Sequence, residues 1–190
     1  MQISRMDLAD FGSPEAIVKG ILNLVPEMFL PVPIEDIAAS LDITDIKEIG
    51  ASNFEGGLLT DREKSEGTIL VNRRSHYKRQ RFTIGHELGH FLMPLHLPGN
   101  GTQFICTSAD MKKADFYKTM DRAARMEVEA NRFAANILMP AQLFQRDLNR
   151  SAAPDLDMLI RLADRYDTSK EATARRFCEL HDTPTAAAFS

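Results

Sequence analysis

The pentad His86-Glu87-Leu88-Gly89-His90 constrains this chain more than any other stretch, because two of its 5 histidines stand four residues apart with a glutamate directly after the first. On an α-helix, residues i and i+4 lie one turn apart on one face, so the two imidazoles can reach a single cation and fill two corners of a tetrahedral site. Glu87 points about 100° further round, beside the cation rather than onto it, where a carboxylate can act as a base toward a water molecule. Ile84, Leu88 and Phe91 follow helical spacing beside Leu92, which gives the helix a buried stripe bordered by the histidines. A surface helix carrying two histidines by chance does not account for that stripe. Gly89 gives up about 1 kcal/mol of helix propensity relative to alanine, and this predicts a neighbouring element packed very closely against it.

A chain of 190 residues can bury a good core and is expected to form one domain, or one domain with a helical appendage. Hydrophobic residues at 44% and charged residues at 26% are ordinary for a globular protein. No apolar run approaches the roughly 18 residues that cross a bilayer, and the first residues, Met1 to Asp7, contain no apolar core of a secretion signal. A cytoplasmic location is therefore expected. Cys106 and Cys178 are too few for a disulfide framework and lack metal-ligand spacing of their own. The net charge of −4 gives no general attraction to nucleic acid, and direct nucleic-acid binding is not expected.

Along the chain, Ser13-Pro14-Glu15 opens a helix with serine as N-cap and proline at its first position, and Pro33 leads into a short helix from Ile34 to about Leu41. Ile43, Ile46 and Ile49 mark a short extended element. Residues 56–60 and 68–72 then face each other across a polar turn as a β-hairpin. The histidine helix runs from about Ser75 to Met93, where Pro94 stops it, and residues 96–118 are read as one long connection. A long helix from about Thr119 to Leu138 follows, then a shorter one from Pro140. Ala152-Ala153-Pro154 marks the expected edge of the core, and two helices near 155–165 and 169–180 complete the chain, with a frayed end from Asp182. This order of helices, strands and helices predicts an α+β fold with a small sheet. The expected division is a core over 1–150 and a helical, helix-turn-helix-like extension over 151–190.

A catalytic zinc site generally takes three protein ligands and leaves a position open, so a third donor is required. His96 lies six residues beyond His90, the metzincin spacing, but Met93 occupies the place of the glycine on which that turn depends. The rival is the segment Met126 to Pro140. Glu127, Ala130, Asn131 and Ala134 share one stripe, and the two alanines would let this helix approach the Gly89 face. Glu127 then serves as ligand, with Asn131 one turn later orienting an imidazole. Glu129 lies about 200° from Glu127 and remains the alternative carboxylate.

Two runs together resemble a known family. Arg81-Phe82-Thr83-Ile84-Gly85-His86-Glu87-Leu88-Gly89-His90 is similar to the R-F-T-x-x-H-E-L-G-H run of the ImmA/IrrE metallo-endopeptidases, and Glu127 to Pro140 is similar to their E-x-x-A-N-x-F-A-x-x-L-L-M-P run. The resemblance implies a gluzincin-like minimal zincin fold, with His86, His90 and Glu127 as metal ligands and Glu87 as the catalytic residue. It implies zinc as cofactor, with manganese tolerated by similar chemistry. It also implies a protein substrate, a helix-turn-helix repressor whose cleavage switches on phage, mobile-element or stress genes.

Three further features bear on function. His76, Tyr77 and His96 are candidates to support an oxyanion. The strand ending at Asn72 is placed to pair with an extended substrate, and Arg73, Arg74, Lys78, Arg79 and Arg81 form a basic run that reads first as a charged helix start. The last two helices have the size of a helix-turn-helix, but packing through Ala172, Ala174 and Phe177 is the simpler account of them. The competing function is a non-catalytic, metal-containing regulator that binds a repressor or DNA through those helices.

Overall fold

The computed structural model describes residues 3–97, 103–106, 121–149 and 155–181. A single 3-10 turn, Arg5–Leu8, precedes α1 (Pro14–Leu24). Ser13 caps α1 by accepting from the Ala16 amide, Pro14 occupies the first turn, and Ile17, Val18 and Ile21 face the core. α2 (Ile34–Ser40) follows the Pro31-Val32-Pro33 connector.

The strands β1 (Ile43–Ile49), β2 (Gly56–Thr60), β3 (Gly67–Asn72) and β4 (Gln103–Cys106) form one sheet in the order β1-β3-β2-β4. β1 runs parallel to β3, and β2 is antiparallel to both β3 and β4. The expected hairpin is the β2–β3 pair, with Gly56 opposite Val71 and Thr60 opposite Gly67. β3 alternates buried and half-buried positions, and its Ile69 and Val71 point into the core, the period-2 signature of a sheet covered on one face.

β4 lies inside the stretch read from sequence as one long connection. Four residues carry too little alternation to announce a strand, and the backbone of β2 supplies the pairing that makes them one. This changes the reading of the sheet's edge. β3 is enclosed by β1 and β2, so the strand ending at Asn72 cannot take a further partner. Among the described residues β4 is the edge on the other side. The rest of the expected connection, at 98–102 and 107–120, and the boundary at 152–154 lie outside the described residues, as do Thr119, Met120 and the end from Asp182.

α3 (Tyr77–Leu92) packs against β2 and β3, and α4 (Arg122–Leu138) packs on α3 and α1. Their close approach depends on two glycines of α3. A Cβ on Gly85 would sit 3.3 Å from Ala134, and one on Gly89 would sit 3.0 Å from Phe133. The close neighbour that Gly89 predicts is therefore Phe133, while the expected alanine contact falls one turn earlier. The end of α3 is closed by the hairpin turn. Lys64, buried and at φ 53, donates its ammonium to the carbonyls of His90 and Met93 at 2.6 and 3.0 Å. A cation there satisfies orphan carbonyls and complements the negative end of the helix.

α5 (Ala141–Leu148), α6 (Leu156–Arg165) and α7 (Lys170–Leu180) enclose a second apolar cluster built from Met139, Phe144, Leu148, Met158, Leu162, Tyr166 and Phe177. Lys78 reaches Asp164 at 3.2 Å, and Arg81 donates to the Val32 carbonyl at 2.7 Å while lying 3.6 Å from Asp167. Much of the basic run thus ties the start of α3 to its surroundings. Seven α-helices and one small mixed sheet among the described residues make the α+β fold expected from the element order, consistent with a minimal zincin-like domain. No described helix is long and apolar enough to cross a membrane.

Candidate metal centre

The seam between α3 and α4 buries polar side chains where a core would ordinarily be apolar. His86, Glu87 and His90 are each 0% exposed, and Glu127 faces them from α4 with 14% of its side chain accessible. One ligand atom from each of His86, His90 and Glu127 can be chosen so that all lie within 4.8 Å of one another. The individual distances are shorter: 3.1 Å between the two Nε2 atoms, 3.3 Å from His86 Nε2 to Glu127 Oε2, and 3.4 Å from His90 Nε2 to Glu127 Oε1.

The outer nitrogens decide what these atoms offer. Asn131 Oδ1 lies 3.0 Å from His86 Nδ1 and can only accept, so it places the imidazole hydrogen at Nδ1 and leaves a lone pair at Nε2. Glu127 Oε2 is buried without a hydrogen-bond donor, as that tautomer requires. His90 is stacked on Phe104 of β4, with centroids 4.7 Å apart. Its Nδ1 contacts His96 Nδ1 at 2.9 Å, and His96 Nε2 contacts Glu129 Oε2 at 2.9 Å.

Burial shapes the charges. Desolvation pulls His90 down to about 3, so its ring is neutral and basic at ordinary pH, the form a metal ligand needs. His96 is lowered by burial too. For Glu127 burial is the largest influence and acts upward, but the two histidines together outweigh it and hold the carboxyl well below its usual range, ionised. Two neutral imidazoles and an ionised carboxylate that turn toward one point in a largely buried seam favour a cation among them. Zn–N and Zn–O bonds of roughly 2.0–2.1 Å in a tetrahedron separate donor atoms by about 3.3 Å, close to the spacing found here. The donor set fits a divalent transition metal.

Glu87 is held differently. It follows His86 on α3 and lies under the start of β2, where a Cβ on Gly56 would come 2.9 Å from Glu87 Oε1 and collide with Thr83. Only glycine lets the strand backbone pass this close, so the sheet roofs the carboxylate.

Of the other residues singled out in the sequence, Asn131 stands against His86 as its stripe on α4 implies. Glu129 and His96, each weighed as a ligand, are brought together with each other, and His96 meets the cluster of His86, His90 and Glu127 at the outer Nδ1 of His90. His76 caps α3 by accepting from the Lys78 amide, and Tyr77 is 53% exposed. No local signal pointed to Phe104 or Lys64, because both reach α3 through pairings that span the sheet.

No curated protein matches this chain. The family model of the IrrE N-terminal-like domain matches residues 39–177, which include every residue of the cluster and run on through most of α7. That match covers well over half of the 190 residues, with the paired histidines and Glu127 inside it, and the chain belongs to the IrrE N-terminal-like peptidase family.

Proposed function

We propose that this protein is a metal-dependent endopeptidase in which His86, His90 and Glu127 hold a zinc ion and Glu87 moves the proton. The observation that carries this reading is the convergence of two imidazole Nε2 atoms and an ionised carboxylate within 3.1–3.4 Å of one another in a largely buried seam. Two nitrogens and one carboxylate suit zinc, and manganese is the alternative. When bound, such a cation acidifies water and polarises a carbonyl, which is the activation that peptide hydrolysis requires. Glu87 takes the proton from the attacking water on its carboxylate and returns it to the leaving amine. Asn131 keeps His86 in the tautomer that binds. The substrate backbone is accepted along the outer edge of β4, where Ile105 is 65% exposed, by strand addition.

The substrate in this reading is a helix-turn-helix repressor in the cytoplasm, cleaved to release the genes it silences; its support is the resemblance of the two motif runs. Residues 151–190 serve as a helical extension that braces the 1–150 core. The competing regulator reading needs base-reading or partner-reading side chains on α7. It finds little support there, since Arg176 is buried against Met139 and Asn136 and Arg175 is paired with Glu171. The deciding experiment incubates the protein with zinc or manganese and the repressor encoded beside it, then sequences the fragments. Cleavage that disappears in Glu87→Gln supports the peptidase; an unchanged repressor response from that variant supports the regulator.

A further inference from the structure

The inference rests on the metal reading above and extends it outward from His90. We propose that His96 and Glu129 are positioning residues for the metal: together they fix the tautomer and orientation of His90, although neither touches the cation. Glu129 Oε2 lies 2.9 Å from His96 Nε2, and His96 Nδ1 lies 2.9 Å from His90 Nδ1. A carboxylate only accepts, so the hydrogen of the neutral His96 ring resides on Nε2 and its Nδ1 carries a lone pair. The Nδ1···Nδ1 contact holds a single proton, which therefore belongs to His90. With its hydrogen at Nδ1, His90 presents a lone pair at Nε2, the nitrogen that faces His86 and Glu127.

The opposite tautomer of His96 would leave Glu129 facing a lone pair and would turn the His90 hydrogen toward the cluster, where no cation binds. The two metal histidines are thus set by different devices. An amide oxygen one turn beyond Glu127 fixes His86, and a carboxylate acting through a second imidazole fixes His90. A second cation at the Nδ1 contact does not fit, because Glu129 engages the other nitrogen of His96 and, among the described residues, two donor atoms alone meet there. Rotation of the relay is restricted, since His96 is 0% exposed and the His90 ring is stacked on Phe104.

The test is zinc affinity by chelator competition on the full chain at one neutral pH, with the fold checked by circular dichroism. Glu129 is 39% exposed at its side chain, so Glu129→Ala leaves the core in place. Glu129→Ala and His96→Phe are each expected to weaken zinc binding about 10–100-fold, as loss of an outer partner does. Glu129→Gln, whose amide oxygen accepts the same hydrogen, is expected to restore most of the affinity. The double variant should be no weaker than His96→Phe alone, because Glu129 acts only through His96. Long-range proton–nitrogen NMR of the zinc-loaded protein should place the His90 hydrogen on Nδ1 and the His96 hydrogen on Nε2. Wild-type affinity in folded Glu129→Ala, additive losses in the double variant, or the reverse His96 tautomer would each overturn the relay. Wild-type protein that binds no zinc would sink the metal reading itself, and the first titration reveals that before any variant is made.

Discussion

The α3–α4 seam and the C-terminal helices bury comparable polar chemistry to opposite effect. In the C-terminal cluster donors meet acceptors: Tyr166 donates to Asp147 at 2.9 Å, Arg165 reaches the same carboxylate at 2.7 Å, and Arg176 donates to the Met139 carbonyl and to Asn136 Oδ1 at 3.1 and 2.7 Å. Their positive and negative groups cancel locally, and the result is structure. In the seam two neutral imidazoles and an ionised carboxylate turn their ligand atoms toward one point, and among the described residues no Arg or Lys side chain is paired with Glu127 there. Buried polarity that is complete within the chain braces a fold. Buried polarity that lacks a positive charge specifies a site for one.

The largest test of that contrast is Glu87→Gln. It should lower the cleavage rate about 10²–10⁴-fold, the usual worth of a general base, while zinc affinity stays near wild type, as a titration of both quantities would reveal. Metal removal comes next. At free zinc about 100 times its dissociation constant, binding to the folded state alone adds about 2.7 kcal/mol of stability. A chelator should therefore lower the melting temperature of wild type, but not of Glu127→Ala.

Arg176→Ala attacks the other region. Removing a buried cation that bonds the Met139 carbonyl, half-buried Asn136 and Glu179 should cost about 2–3 kcal/mol of unfolding free energy in urea and leave zinc affinity unchanged. Loss of zinc binding in that variant would mean the two regions are not separable. Tyr166→Phe is milder, at about 1 kcal/mol, because Arg165 still pairs with Asp147.

Acid sharpens the comparison from the other side. His90 stays neutral in the folded chain down to about 3, whereas in the unfolded chain it gains a proton below about 6.5. The unfolded state then binds more protons, so the metal-free protein loses stability as pH falls from about 6.5 toward about 3. Glu127 acts in the same direction: its depressed carboxyl contributes stability above its unfolded value near 4.5, and that contribution is lost on further acidification. Melting curves in chelator across this range should slope accordingly. In His90→Phe the part of the slope due to His90 should vanish, leaving the contributions of His96 and Glu127.

Much of the site was legible in the linear chain because helices convert spacing into direction. His86 and His90 at i and i+4, Glu87 between their faces, and Glu127 and Asn131 one turn apart on a second helix follow from a 3.6-residue period alone. Gly89 likewise announced a close neighbour through its helix cost, though not that the neighbour is Phe133.

What only the tertiary structure decided are the relations between elements distant in sequence. β4 exists because β2 pairs with it, and the parallel pairing of β1 with β3 takes β3 away from the sheet's edge. Glu129, about 200° from Glu127 on α4, looked like a rival ligand until the turn after α3 carried His96 between it and His90. Periodicity reports which face a side chain occupies. What stands opposite that face depends on long-range pairing and packing, and those pairings assign His96 to the outside of the site and Lys64 to the end of its helix.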